Sequence, residues 1–246
     1  MTSFTSNNVA VQQAFPAVWQ VSGVTGTTPQ GRPLQAWQID LVTSGCLLLI
    51  LGATHGDEPE SHWLVNQWMH HWGELTREAK GVVAIPCLNP DGLALNTRQN
   101  ANGVDLNRNF PTANWSQATD SLEKELGHPY YGGPTAASEP ETQWLMDVLE
   151  AYQPKIVLSV HTPYKVVNWD GPPHAQSLAE AVGTVTGYPV THDIGYPTPG
   201  SFGTYVGIER GIPVITLELP EESPDVLWAA NKTVPQACLE WIESNR

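Results

Sequence analysis

Four short, uninterrupted apolar runs constrain most strongly how this 246-residue chain can fold. They are rich in branched residues, and none is long enough to span a membrane. Such runs are typical of parallel strands that are buried on both faces of a sheet. The runs occupy residues 46–53, 81–86, 155–160 and 212–219. A fifth segment, 35–42, alternates between apolar and polar residues and predicts an outer strand.

Helix patterns lie between these strands. Segment 141–152 places its apolar residues on one face, and Ser138 and Glu141 have the spacing of a capping box at its start. Weaker helix patterns occupy 61–72, 174–186 and 225–244, the last interrupted by Pro235. The alternation predicts an α/β fold with a mixed, largely parallel β-sheet flanked by helices. Because no linker or repeat divides the sequence, we expect residues 1–246 to form a single domain.

The charge balance opposes two classes of partner. The chain carries 25 acidic and 11 basic side chains, a formal charge of −14, which disfavours binding to nucleic acid or to anionic membrane surfaces. Its three cysteines lack a metal-type spacing and predict free thiols in a reducing compartment. The first residues lack the basic and apolar regions of a signal peptide, so we expect a cytoplasmic protein.

Polar residues that could carry chemistry lie at or just after the ends of three of the predicted strands. His55 and Glu58 follow the first, His161 follows the third, and Glu218 stands among apolar residues in the fourth. The carboxyl ends of parallel strands meet at one edge of a sheet, so these side chains should lie close together. Two histidines and one glutamate are a common ligand set for zinc in hydrolases. A buried glutamate is normally paired, metal-bound or catalytic.

Other histidines remain alternatives as ligands. A second His-x-x-Glu pair, His71 and Glu74, lies at the end of a predicted helix, where an exposed imidazole is the simpler interpretation. His62 follows Glu58 at the spacing of neighbours on one helix face, so it competes with His55 for the same role.

Segment 89–138 is long, irregular and rich in Asn, Gly, Pro and Thr. Such a stretch inside a compact domain is usually functional or disordered. It contains Arg98, Asn107 and Arg108, with Asp105 as the one acidic residue near them. Arginine binds carboxylates through paired hydrogen bonds, so the segment is either a site for an anionic group or a solvated loop.

Five sequence pieces together resemble the zinc metallocarboxypeptidases related to pancreatic carboxypeptidase A. They occur in the order found in that family and span residues 55–219, most of the chain. The pieces are HGDE at 55–58, NPDG at 89–92, GVDLNRNF at 103–110, SVH at 159–161 and TLEL at 216–219.

The resemblance implies one Zn²⁺ ion bound by His55, Glu58 and His161, with an open position for water. It implies that Glu218 is the general base that takes a proton from the water and passes it to the leaving amine. It also implies that Asp105 orients a zinc-binding histidine.

The same resemblance assigns the groups around the substrate. Arg98 matches the arginine that stabilises the oxyanion, and Asn107 and Arg108 match the pair that binds the terminal carboxylate. Tyr205 falls near the family's mobile tyrosine and is expected to contact substrate. Asp57 stands where digestive members carry an arginine, so an anion subsite is missing or inverted.

The stretch RQNANGVDLNRNFP at 98–111 resembles in particular a bacterial subgroup that hydrolyses the γ-D-glutamyl–meso-diaminopimelate bond in cell-wall recycling. This implies a small murein tripeptide as the substrate. Two alternatives stay open: a zinc deacylase of N-acyl amino acids, similar to aspartoacylase or succinylglutamate desuccinylase, and a non-catalytic peptide-binding protein. The oligomeric state stays open, a homodimer included. Four charged residues are candidates for side-chain selectivity: Asp170, Asp193, Glu209 and Arg210.

Overall fold

The computed structural model describes residues 15–41, 45–72, 81–116 and 130–245. Within these ranges one large sheet contains eight strands, and β2 and β3 form a separate ribbon. In chain order the strands are β1 (Gln20–Val21), β2 (Gly26–Thr27), β3 (Pro33–Leu34), β4 (Trp37–Ile39), β5 (Leu48–Leu51), β6 (Val82–Ile85), β7 (Ile156–His161), β8 (Val166–Asp170), β9 (Val190–Thr191) and β10 (Val214–Glu218).

The large sheet has a parallel centre and mixed margins. Its strand order is β1-β4-β6-β5-β7-β10-β8-β9. Strands β6, β5, β7 and β10 pair in parallel, whereas β4 and β8 run antiparallel to their central neighbours. The predicted mixed, largely parallel sheet flanked by helices is thus confirmed. The sequence patterns do not predict strand β8, because its short sequence VVNWD has neither a long apolar run nor a clear alternation.

Both faces of the central strands are covered. In β5, Leu48 and Ile50 pack into one core cluster, and Leu49 and Leu51 pack into a second on the opposite face. The strand reads as a continuous apolar run because successive side chains enter different cores. The buried carboxyl ends of these strands carry the polar residues of the site.

Six helices of five or more residues with α-helical geometry surround the described part of the sheet. They are α1 (Pro59–His70), α2 (Pro90–Leu95), α3 (Pro140–Tyr152), α4 (Ala175–Thr186), α5 (Pro224–Asn231) and α6 (Val234–Ser244). Side chains of α1, α4, α5 and α6 enter the first core cluster, and those of α3 enter the second. No helix in these ranges is long and apolar enough to cross a membrane.

Two helix boundaries differ from the sequence prediction. The break expected at Pro235 lies before it, because this proline belongs to the first turn of α6, where its missing N–H has no intrahelical partner to lose. The capping box at Ser138 is wrong, since Glu139 is the N-cap residue of α3. Ser138 Oγ instead donates to Glu139 Oε1 at 2.6 Å, and Glu141 is buried against Asn100.

The described parts of segment 89–138 are ordered by asparagine side chains. Asn89 Oδ1 accepts from Gly92 N at 2.8 Å and caps α2. Asn100 Oδ1 accepts from the backbone N–H groups of Asn102 and Val104 at 3.0 and 3.1 Å. These bonds satisfy backbone donors that no strand or helix would satisfy. The asparagine-rich composition therefore holds an irregular backbone beside the site.

Candidate active site

Three parallel strands deliver the polar residues to one edge of the sheet. His161 is the last residue of β7, and Glu218, the last residue of β10, is its partner in the strand register. Strand β5 lies on the other side of β7, and its chain continues through His55 to Glu58 at the start of α1. Strand pairing thus brings together residues more than 160 positions apart, because parallel neighbours end at the same edge.

His55, Glu58 and His161 form a buried cluster. His55 Nδ1 lies 2.6 Å from Glu58 Oε1, and His161 Nδ1 lies 3.0 Å from Glu58 Oε2. One ligand atom from each residue lies within 4.8 Å of the other two. Two nitrogens and one carboxylate oxygen suit a Zn²⁺ ion with an open position. The donor set therefore fits a single zinc ion.

The far sides of both imidazoles have their own partners. His55 Nε2 lies 3.1 Å from Asp105 Oδ1, and His161 Nε2 lies 3.1 Å from Ser159 Oγ. Such contacts fix the ring orientation, so the Nδ1 atoms face Glu58. Arg98 Nε donates to Asp105 Oδ2 at 2.9 Å. Burial by itself would raise the pKa of Asp105, but Arg98 and His55 hold that pKa well below its usual range.

The potential in this cluster favours a cation. Burial and Arg98 act to lower the pKa of His55, but Glu58 and Asp105 raise it to about 9. Burial acts to raise the pKa of Glu58, yet the two histidines hold it far below its usual range. Glu58 and Asp105 thus favour a positive charge at this buried point. A divalent cation would compete with protons for the same nitrogen and oxygen atoms.

The alternative ligands lie elsewhere. His62 Nδ1 lies 3.0 Å from the carbonyl oxygen of Pro86. The His71 ring packs against Trp228 at a tilt of 46°, with its Nδ1 3.0 Å from Gln67 O, and Glu74 lies outside the described residues. The structure therefore brings neither His62 nor His71 into the cluster.

Glu218 is buried next to the cluster and lines the same cavity as His161. Its Oε2 atom has no hydrogen-bond partner among the described residues. Burial, together with nearby Glu58, raises the pKa of Glu218, while His161 acts against this. A carboxylate with one unoccupied oxygen and a raised pKa suits a group that accepts a proton from a ligand or water.

Arg98, Asn107 and Arg108 line the same cavity, which is open to solvent. Arg108 Nη1 donates to Asn107 O at 2.7 Å, and its buried Nε has no partner in the described part of the chain. Asn107 Oδ1 accepts from Phe202 N at 2.8 Å, which leaves the amide nitrogen to donate to a ligand. The Tyr130 ring lies 4.8 and 5.1 Å from the guanidinium carbons of Arg98 and Arg108. The three side chains together form a cationic, donor-rich wall.

The expected substrate contact by Tyr205 does not fit the structure. Tyr205 is buried in the second core cluster, where it packs on Phe110, and the Arg210 guanidinium lies 3.4 Å from its ring centre. It does not line the cavity, whereas Tyr196 does. The five-residue π-helical turn Thr204–Ile208 directs Tyr205 inward, and no sequence signal indicated this turn.

The fold and the site define a metal-dependent hydrolase, with a His–Glu–His cluster, an adjacent carboxylate and an arginine-lined cavity at the carboxyl edge of a mixed sheet. The family model described as zinc carboxypeptidase matches residues 7–244. The chain belongs to the zinc carboxypeptidase family and is a metallopeptidase-type enzyme.

Characterised relatives agree with this family. Murein peptide amidase A of Vibrio campbellii is 37% identical over 206 residues, covering 82% of this chain and 80% of that protein. Murein peptide amidase A of Escherichia coli K12 is 37% identical over 182 residues, covering 72% of each. The crystal structure of murein-tripeptide amidase from Escherichia coli O157 matches with a TM-score of 0.73 and 31% identity over 92% of both chains.

A substitution at Gly56 tests whether zinc binding requires the close approach of the backbone between His55 and Glu58 to α2. A Cβ atom at Gly56 would overlap the backbone carbonyl of Gly92, whereas one at Gly23 would meet nothing within 4 Å. We expect Gly56→Ala to weaken zinc binding about 10- to 100-fold, the usual effect of disturbing the groups that orient ligands. Competition with a chromophoric chelator measures the affinity. Gly23→Ala is the control, and an unchanged affinity in Gly56→Ala would contradict this role.

Proposed function

We propose that this protein hydrolyses the γ-D-glutamyl–meso-diaminopimelate bond of murein peptides in the cytoplasm and so serves cell-wall peptide recycling. The similarity to murein peptide amidases supports the substrate class. The observation that carries the proposal is a cavity lined by Glu218, His161 and Arg108, in which Glu218 Oε2 and the buried Arg108 Nε have no hydrogen-bond partner among the described residues. A base and a carboxylate-binding cation in one cavity suit an enzyme that cleaves the last bond before a free carboxylate.

In this proposal His55, Glu58 and His161 hold one zinc ion. Zinc bound there would lower the pKa of water from about 15.7 towards 7 and polarise the scissile carbonyl. Asp105 and Ser159 orient the two imidazoles from behind. Their role is to keep the Nδ1 atoms directed at the metal position when substrate enters.

Glu218 moves the proton. Its Oε2 atom accepts a proton from the attacking water, and the same carboxyl group then donates that proton to the leaving amine. Burial raises the pKa of Glu218, which makes the proton easier to accept. Because burial also separates Glu218 from bulk solvent, the transferred proton stays within the cavity until the amine leaves.

Arg98 stabilises the charge that develops on the carbonyl oxygen. Its Nε is occupied by Asp105, and its Nη1 lies 3.7 Å from Glu58 Oε1. These contacts fix the guanidinium plane and leave further N–H donors for the oxyanion. Removal of one such donor in other enzymes costs about 2.7–4 kcal/mol of transition-state stabilisation.

Arg108 and Asn107 bind the terminal carboxylate in this proposal. Arg108 is buried and offers Nε and further N–H groups in a planar fork, which matches the two oxygens of a carboxylate. A substrate that ends beyond this point could not place its carboxylate there. The site would therefore act on the terminal residue.

In this proposal residues 1–246 form a single peptidase domain. Its partner is a small peptide, and it binds neither nucleic acid nor a membrane. Cys46, Cys87 and Cys238 are free thiols, which supports a reducing compartment.

The substrate assignment predicts that zinc-loaded protein releases meso-diaminopimelate from L-Ala-γ-D-Glu-meso-diaminopimelate. Amino-acid chromatography of the products measures the reaction, and chelation of zinc should abolish it. N-acetylaspartate and N-succinylglutamate are the comparison substrates. An intact tripeptide would contradict the proposal, and turnover of the N-acyl amino acids in its place would identify a deacylase.

Glu218→Gln should retain one zinc ion per chain but lose about 10²- to 10⁴-fold in kcat, because the amide cannot accept the proton. Steady-state kinetics and metal analysis give the two measurements. Glu221→Gln is the matched control, since Glu221 is exposed three residues further along the chain. Full turnover in Glu218→Gln would refute a role for this carboxylate as the base.

Arg108→Ala should raise KM about 10- to 100-fold for a peptide with a free terminal carboxylate, since a hydrogen bond to a charged group contributes about 1.5–3 kcal/mol. A peptide with an amidated terminus, which cannot make the charged contact, should lose much less. Arg108→Lys keeps the charge without the planar fork and separates the two contributions. Equal losses for the free and the amidated peptide would contradict carboxylate binding.

A further inference from the structure

The floor of the cavity is one polar face of three neighbouring strands. Successive side chains of a strand point to opposite faces, so alternate residues of β7, β10 and β8 share this floor. They are His161 and Ser159, Glu218 and Thr216, and Asn168 and Asp170. The floor thus extends from the proposed reaction centre towards Asp170, which no step of the proposed mechanism uses.

The strand register gives the distance between Asp170 and the proposed reaction centre at Glu218. Val166 of β8 pairs with Glu218, and Asp170 lies four residues further along the strand, beside Val214. At about 3.3 Å per residue, the backbone of Asp170 is roughly 13 Å along the strand from the position opposite Glu218. A group bound by Asp170 would therefore belong to the end of a long side chain.

The Asp170 carboxylate has no cationic partner in the described part of the chain. Its side-chain contact among these residues is a long hydrogen bond of 3.4 Å from Asn168 Nδ2 to Oδ2. Burial raises the pKa of Asp170 to about 6. Asp170 is partly buried, and a carboxylate in such a position without a counter-ion among the described residues is unfavourable, so a cationic ligand would stabilise it.

Two glycines make room for this carboxylate. A Cβ atom at Gly203 would overlap Asp170 Oδ2, and one at Gly207 would lie 2.7 Å from Asp170 Cβ. Gly203 has φ −60°, a conformation that every residue adopts, so backbone geometry does not require glycine there. The absence of a side chain at Gly203 instead leaves the position of Oδ2 open at the cavity wall.

We propose that Asp170 binds the ammonium group at the end of the leaving residue's side chain and so selects long, amine-bearing terminal residues. This proposal rests on the proposed function, and it adds the group that recognises the side chain. Arg108 and Asp170 would bind opposite charges at two points of the same residue, its α-carboxylate and its distal ammonium. Two such contacts fix both the length and the charge of the side chain.

A matched pair of tripeptides isolates this contact. L-Ala-γ-D-Glu-meso-diaminopimelate and its analogue ending in 2-aminopimelate have the same length and carboxylates and differ in the distal ammonium group. The unaltered protein should prefer the diaminopimelate peptide by about 10- to 100-fold in kcat/KM, as expected for a hydrogen bond to a charged group. Comparable kcat/KM values for the two peptides would overturn the proposal.

Asp170→Asn should remove this preference by lowering kcat/KM for the diaminopimelate peptide and leaving the 2-aminopimelate peptide nearly unchanged. Gly203→Ala should reduce the preference in the same direction, because the new methyl group displaces Oδ2. Asp193→Asn is the matched control, since Asp193 is exposed, does not line the cavity and carries the same charge. Equal losses for both peptides in Asp170→Asn would indicate a structural role and overturn the proposal.

Calorimetry separates this proposal from the proposed function. Free meso-diaminopimelate and free 2-aminopimelate are titrated into zinc-loaded protein and into Asp170→Asn. Tighter binding of diaminopimelate that is lost in Asp170→Asn supports the ammonium site even if neither tripeptide is cleaved, a result that would refute only the proposed reaction. Equal affinities for the two amino acids in the unaltered protein would overturn the ammonium site.

Discussion

The buried carboxylate of Glu58 is the interaction on which the site depends. Burying an unpaired charge costs several kcal/mol, and Glu58 offsets this cost through both histidines and the Thr162 backbone N–H, which donates to Oε2 at 3.3 Å. Glu58 also stands at the N-terminus of α1, where the helix dipole favours negative charge. The carboxylate thus links α1, the loop after β5 and the end of β7. A cation bound at this point would stabilise all three elements together.

A chain of polar contacts extends from this carboxylate to the cavity. Glu58 contacts His55, His55 contacts Asp105, and Asp105 accepts from Arg98. Each group is held by the next, so its orientation is determined before substrate arrives. Preorganised polar groups of this kind stabilise a transition state without rearrangement during the reaction. The 98–108 segment is therefore irregular in backbone but restricted in its side chains.

The acidic composition and the cationic cavity are compatible. The net charge of −14 is spread over a surface where salt screens interactions beyond about 8–10 Å. Arg98 and Arg108 lie close to any ligand in the cavity, and a bound zinc ion would add to their potential. Net charge thus argues against nucleic-acid partners without opposing a small peptide rich in carboxylates. Asp170 adds one acidic side chain to this cavity, at the end away from Glu218.

Sequence patterns predicted the central strands, most helices and the polar residues at the strand ends. Apolar runs and helical periodicity are local properties, and a histidine or glutamate at the end of a buried run is visible without a structure. The resemblance to the family added Arg98, Asn107 and Arg108 to the predicted site residues. Three features are visible in the folded protein but not in the sequence: Tyr205 packs inward, Tyr196 lines the cavity, and Asp170 shares a floor with Glu218. Those outcomes depend on the antiparallel strand β8 and on the turn at 204–208, whose short sequences carry little periodicity, and on pairing between residues far apart in the chain. Sequence patterns report which face a residue occupies within its own element, whereas the partners across that face follow from strand order and register.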